Sequence, residues 1–119
     1  MIVDDNRSFR QLIRSILQCK DRVFIECEDG ASAQACYGEA RPDWVLMDLE
    51  MKSMDGLEAT RRITSQFPGA RVLVVSQHDE LDWQAAALKA GATRLLSKEN
   101  LVELPGILDP LTPPNPSST

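Results

Sequence analysis

Trp44-Val45-Leu46-Met47-Asp48-Leu49-Glu50 decides the reading of this chain: a short apolar run that stops at a single carboxylate. A run of this kind fits a strand of a parallel sheet covered on both faces, where no alternation with polar residues is needed. Outward from it, comparable runs recur at Ile2-Val3, Val23–Cys27, Val72–Val75 and Arg94–Leu96. Helical patterns lie between them. Phe9, Leu12, Ile13, Ile16 and Leu17 follow the i, i+3, i+4, i+7, i+8 spacing of a helix burying one face, with Arg7, Arg10, Arg14 and Gln18 largely elsewhere. A second, Ala-rich helix is expected from Gly30 to about Gly38. A third runs from Asp55 or Gly56 to the Pro68-Gly69 turn, and a fourth from Leu81 to Ala90, stopped by Gly91. Leu101, Leu104 and Leu108 outline a fifth, with Pro105-Gly106 interrupting it, so that helix is expected to be short, kinked or split.

The alternation implies an α/β fold: a doubly wound, five-stranded parallel sheet in the order 2-1-3-4-5, with helices on both faces. At 119 residues the chain has room for one such domain, expected over residues 1–109. From Pro110 to Thr119 the composition turns to proline, serine and threonine with no apolar face, the mark of a disordered tail or linker.

Composition excludes several functions. A net charge of -5 argues against phosphate-backbone binding, and Arg61-Arg62 reads as a solvated helix face rather than a basic patch. Cys19, Cys27 and Cys36 are odd in number and lack CxxC spacing, which indicates neither disulfides nor zinc and fits a reducing, cytoplasmic setting. Cys27, Cys36, Trp44 and Trp83 read as packing residues. No apolar run approaches a membrane span, and the acidic start Met1-Ile2-Val3-Asp4-Asp5 is unlike a signal peptide. Asn6-Arg7-Ser8 matches a glycosylation sequon only by its letters.

In such a sheet ligands bind beyond the carboxyl ends of the strands, where the strand order reverses. Asp4 and Asp5 end the first strand, Asp48 the third, Ser76 the fourth, and Ser97-Lys98 the fifth. Carboxylates gathered there repel unless a cation shares the site. Lys98 supplies one positive charge, and magnesium suits a few carboxylates plus water and a phosphate oxygen. A carboxylate is already ionised and can attack phosphorus without a general base, while Lys98 and the Ser76 hydroxyl meet charge on the transferring group. Each residue also has an ordinary alternative. Asp4-Asp5 can cap the next helix, Asp48 can be a loop acid, and Ser76 and Lys98 can be solvated surface groups. The case rests on their convergence at one end of the sheet.

These residues resemble the receiver domains of bacterial two-component response regulators. The resemblance spans roughly residues 1–104. It is carried by Ile2-Val3-Asp4-Asp5, by Asp48-Leu49-Glu50-Met51-Lys52-Ser53-Met54-Asp55-Gly56, by Val74-Val75-Ser76, and by Ala90-Gly91-Ala92 leading to Leu95-Leu96-Ser97-Lys98. It implies the flavodoxin-like fold of the chemotaxis receivers. Asp48 would be the phosphoacceptor, with Asp4, Asp5, Asp48 and the backbone carbonyl of Glu50 holding Mg2+. Lys98 and Ser76 would contact the phosphoryl group. The implied donor is a sensor histidine kinase or a phosphotransfer protein, and the implied result is a conformational shift that controls an output such as transcription. The domain would catalyse only its own phosphorylation and dephosphorylation.

Several positions depart from the common pattern. Leu95 replaces the aromatic switch residue of many receivers, so an inward swing of Ser76 coupled to a ring cannot operate. Lys52 stands where proline often follows methionine. Glu99 replaces a common proline, as in the subfamily joined to helix-turn-helix outputs of the LuxR and NarL kind. A C-terminal DNA-binding domain outside this chain and a homodimer are compatible with that placement. The first strand has fewer apolar residues before its acid pair than is usual, which raises the expectation of a trimmed start. His78 and the Glu50 side chain lie near the expected phosphoryl position, with a plain solvent-exposed loop histidine as the alternative for His78. A second reading is a degenerate receiver serving as a phosphorylation-independent interaction or dimerisation module, favoured by Leu95 and Pro105. A third, a magnesium-dependent phosphatase with an aspartyl nucleophile, is supported only by Glu50 two residues beyond Asp48.

Overall fold

A computed structural model describes residues 1–19, 21–51, 55–78 and 80–108. The expectations for the 110–119 tail and for Lys52 fall outside these residues. The elements alternate as β1 (Ile2–Val3), α1 (Arg7–Leu17), β2 (Glu26–Cys27), α2 (Gly30–Ala40), β3 (Val45–Asp48), α3 (Gly56–Gln66), β4 (Val72–Ser76), α4 (Leu81–Lys89) and β5 (Arg94–Ser97). A 3-10 turn over Lys98–Glu103 then leads into α5 (Leu104–Leu108). All strand pairs are parallel, in the order β2-β1-β3-β4-β5, as expected from the sequence.

Alternate strand residues supply two cores. Val3, Val45, Met47, Val72, Val74 and Leu95 pack with Ala33 and Tyr37 of α2, Ala59 and Ile63 of α3, and Ala87 of α4. Ile2, Leu46, Leu73, Val75 and Leu96 face Ile13 and Leu17 of α1 and Leu101 and Leu104 beyond β5. The central runs are therefore apolar throughout because neither face meets water.

Apart from one-residue shifts at the ends of β3, β4, β5 and α4, three elements differ from expectation. β2 pairs only over Glu26–Cys27, not Val23–Cys27, since β1 offers only Ile2 and Val3 as partners, and Val23 is 86% exposed. α2 continues past Gly38 to Ala40 and ends where Arg41 takes a left-handed conformation (φ 47°). The final helical stretch is indeed split, but at Asn100 (φ -115°, ψ 29°) rather than at Pro105. Pro105 lies in the first turn of α5, where its missing N–H is not needed for the helix ladder. Gly91 has φ 103° and follows α4, the role read from the sequence. A Cβ there would also collide with the Thr64 side chain.

Candidate phosphoryl-acceptor site

The carboxyl ends of β1, β3, β4 and β5 bring the predicted acids, hydroxyl and lysine to one end of the sheet. β1 stops at Val3 because the next two residues turn: Asp4 Oδ1 accepts the Asn6 N–H at 2.8 Å, and the Asn6 side chain accepts the Phe9 N–H at 3.0 Å, capping α1. Asp4 is buried, and Asp5 is exposed. Carboxylate oxygens of Asp4, Asp5 and Asp48 lie within 4.8 Å of one another.

At the end of β3, Asp48 is buried and pairs with Lys98, with 3.1 Å between its Oδ1 and Nζ. The Glu50 N–H lies 3.4 Å from the same oxygen. The chain then returns close to Asp48 at Gly56, where any Cβ would collide with the Asp48 carbonyl. Asp55 caps α3 by accepting the Glu58 N–H at 2.8 Å. That cap and that glycine, adjacent at the start of α3, hold this end of the loop against the end of β3, where the Gly56 N–H also bonds the Leu49 carbonyl at 3.0 Å.

Burial is the main electrostatic fact. It pushes the Asp48 carboxyl up to about 6, with neighbouring Asp4 adding to the rise and Lys98 opposing it. Burial also raises Asp4, against the Asn6 N–H and Lys98. Asp4 Oδ2 is buried with no hydrogen-bond partner in the protein. An orphaned acceptor among three convergent carboxylates fits a hard cation with oxygen ligands, so these residues suit Mg2+.

Ser76, fully buried at the end of β4, donates its hydroxyl to Glu50 Oε2 at 3.2 Å and accepts the His78 N–H at 2.8 Å. The His78 ring sits 3.4 Å from Glu50 Oε2 and stacks on Trp83, with centroids 5.6 Å apart. Trp83 is therefore a half-exposed partner of His78 and not the packing residue expected from the sequence. Leu95, which stands where many receivers carry an aromatic residue, is buried in the core.

Two contributors were not singled out in the sequence. Arg10, expected on the solvated side of α1, is only 7% exposed. It donates to the Asp4 carbonyl at 2.7 Å and to Glu26 at 2.8 Å, while Arg14 holds the other Glu26 oxygen at 2.7 Å. Phe9, read as an ordinary core position, lies under Lys98 with Nζ 4.4 Å from the ring centroid, steadying the ammonium that reaches Asp48. The face of an arginine one turn into a helix gives no warning of either contact.

The chain matches the family model of the response regulator receiver domain over residues 1–108. It is 37% identical over 101 residues to the transcriptional regulatory protein DegU of Brevibacillus brevis, covering 83% of this chain and 43% of that protein. It is 36% identical over 99 residues to the chemotaxis protein CheY of Listeria monocytogenes, covering 82% and 83% of the two chains. Among solved structures, a LuxR-family two-component response regulator from Aurantimonas sp. superposes with a TM-score of 0.81 at 32% identity, covering 91% and 82%. The match to DegU thus spans less than half of that relative. With the sheet order, the strand-end acids and Lys98 already in place, the family match is decisive: the chain belongs to the response regulator receiver domain family.

Proposed function

We propose that this domain is a phosphorylation-dependent switch in which Asp48 accepts the phosphoryl group, the observation carrying the reading being a buried Asp48 paired with Lys98 beside Asp4 and Asp5. One Asp48 oxygen attacks phosphorus of a phosphohistidine on a sensor kinase or phosphotransfer protein. The new P–O bond forms as the P–N bond breaks, and the imidazole departs with the electron pair. Lys98 holds the carboxylate in place and then pairs with a phosphoryl oxygen. The Ser76 hydroxyl donates to another. Asp4, Asp5, Asp48 and the Glu50 carbonyl are the residues that would hold Mg2+, which when bound neutralises charge on the carboxylates and the phosphoryl oxygens. The domain catalyses only its own modification, and no helix among the described residues is long and apolar enough to cross a membrane.

The kinship with DegU and with a LuxR-family regulator favours an output in transcription, through a DNA-binding domain outside this chain. The acidic balance argues against direct nucleic-acid contact by the receiver itself. A cytoplasmic setting and a homodimer belong to the same proposal. The phosphorylation-independent interaction module remains the second reading, because Leu95 removes the usual ring partner of Ser76.

Incubation with acetyl phosphate and Mg2+, followed by intact-mass measurement, tests the proposal. A single phosphoryl adduct that needs Mg2+ and is absent from Asp48→Ala is expected. In Asp5→Ala, the Mg2+ concentration for half-maximal adduct should rise at least about tenfold, since a ligand is deleted. No adduct, or one that persists in Asp48→Ala, contradicts the reading.

A further inference from the structure

The Ser76 hydroxyl has one hydrogen, and in this structure that hydrogen is committed to Glu50 Oε2 at 3.2 Å while the His78 N–H occupies a lone pair. A hydroxyl so engaged cannot also donate to a group on Asp48. The same Glu50 oxygen has a second partner within reach, the His78 ring at 3.4 Å, and that ring stacks on Trp83 in the first turn of α4. Among the described residues, Glu80 also faces His78, 4.0 Å from the other ring nitrogen.

The helix reached by this chain of contacts is lightly held. α4 buries only Ala87, exposes Leu81 and Leu88, and has no side-chain cap hydrogen bond at Glu80. Low local burial and an uncapped start are what a moving element requires. The usual ring on β5 is absent, since Leu95 stands there.

We propose that Glu50 is a latch on Ser76: it holds the hydroxyl away from Asp48 in the resting domain and, when Ser76 turns to the phosphoryl group, pairs with His78 instead and shifts Trp83 and the start of α4. Glu50 and His78 are positioning residues that act through Ser76 and Trp83. The device replaces the missing aromatic on β5 with a side-chain path that leaves β4 directly for α4. It rests on the phosphoacceptor reading of Asp48.

Beryllofluoride, a tetrahedral stand-in for the phosphoryl group, separates the two claims. Binding is followed by fluorine NMR with Mg2+ present, and Trp83 fluorescence is read in a Trp44→Phe background that leaves a single indole. Freeing the hydroxyl should tighten binding in Glu50→Ala by roughly three- to tenfold, the worth of one hydrogen bond to a half-exposed carboxylate. Loss of a negative charge near the site would also tighten binding, but that gain would survive in Ser76→Ala. The latch requires that Glu50→Ala tighten binding less in the Ser76→Ala background than in the wild type. In His78→Ala, ligand should still bind while the Trp83 response is lost. If the wild-type domain binds no beryllofluoride, the phosphoacceptor reading itself fails. If it binds but Glu50→Ala is unchanged, or its gain is the same with and without Ser76, the latch is overturned. A Trp83 response that persists in His78→Ala overturns the path to α4.

Discussion

At the scale of single residues, the candidate acceptor site is a place where the burial that folding brings works against the carboxylate charge that the proposed function needs. Burial and Asp4 lift the Asp48 carboxyl from an ordinary 3.8 to about 6. Because the folded state holds the proton more tightly than the unfolded one, this group's contribution to stability is fully present below about pH 4 and is lost as pH rises through about 6. Asp4, raised for the same reason, works in the same direction. Metal-free Asp48→Asn should therefore be more stable than the wild type at pH 7 by about 2 kcal/mol, with the difference closing towards pH 4. Urea unfolding at several pH values checks this, and saturating Mg2+ should shrink the difference. Arg10 belongs to the opposite class. Its guanidinium satisfies the Asp4 carbonyl and Glu26 from a buried position, so Arg10→Ala should destabilise the domain by about 2–3 kcal/mol in urea unfolding.

Arg10 also marks how far single residues can be read from sequence. Asp4, Asp5, Asp48, Ser76 and Lys98 were legible because each lies at or just beyond the end of a strand, and strand ends converge in a doubly wound sheet whatever the packing details. Arg10 was not, because helical periodicity assigns a residue to a face by its Cα, while a long side chain can cross from that face to a neighbouring strand end. The exchange of Ser76, Glu50 and His78 was equally hidden, since it depends on rotamers in two loops.

At the scale of elements, strand identity followed from apolar runs, whereas strand length followed from pairing. Val23, Phe24 and Ile25 are the apolar part of their run, but Ile2 and Val3 of β1 lie opposite Glu26 and Cys27, so β2 is two residues long and Ile25 adds only its carbonyl, which accepts the Ile2 N–H at 2.7 Å. Likewise Pro105 was read as a break because proline disrupts helix interiors, yet the chain had already changed course at Asn100 and restarted with proline in a tolerated turn. The turn after α4 was readable because only glycine suits φ 103°. It is also sterically closed by Thr64, whose hydroxyl bonds the Ala90 carbonyl at 2.9 Å. Gly91→Ala should lower stability by about 2–3 kcal/mol, through combined backbone strain and collision, visible as a lowered Tm in calorimetry.

At the scale of the whole molecule, the two cores divide the labour. The core under α1 and α5 is continuous with the acceptor end through Arg10, Phe9 and Lys98, which anchor the acids and the lysine. The core under α2 and α3 is deep, but α4 contributes only one buried residue to it. A change at Asp48 therefore meets a rigid wall on one side and a loosely held helix on the other, which is the arrangement a two-state switch requires. The sheet order and the site were visible in the sequence because both follow from alternation and strand ends. The route out of the site was not, because it depends on which helix is weakly packed.

Among all the carboxylates at this end of the sheet, Asp48 is the one proposed to carry the phosphoryl group. Treatment with acetyl phosphate and Mg2+ followed by borohydride reduces an aspartyl phosphate to homoserine, and peptide mass spectrometry then locates the altered residue. Conversion at Asp48 alone, dependent on Mg2+, is the predicted result; conversion at Asp4 or Asp5, or at no residue while phosphate is still incorporated, would contradict it.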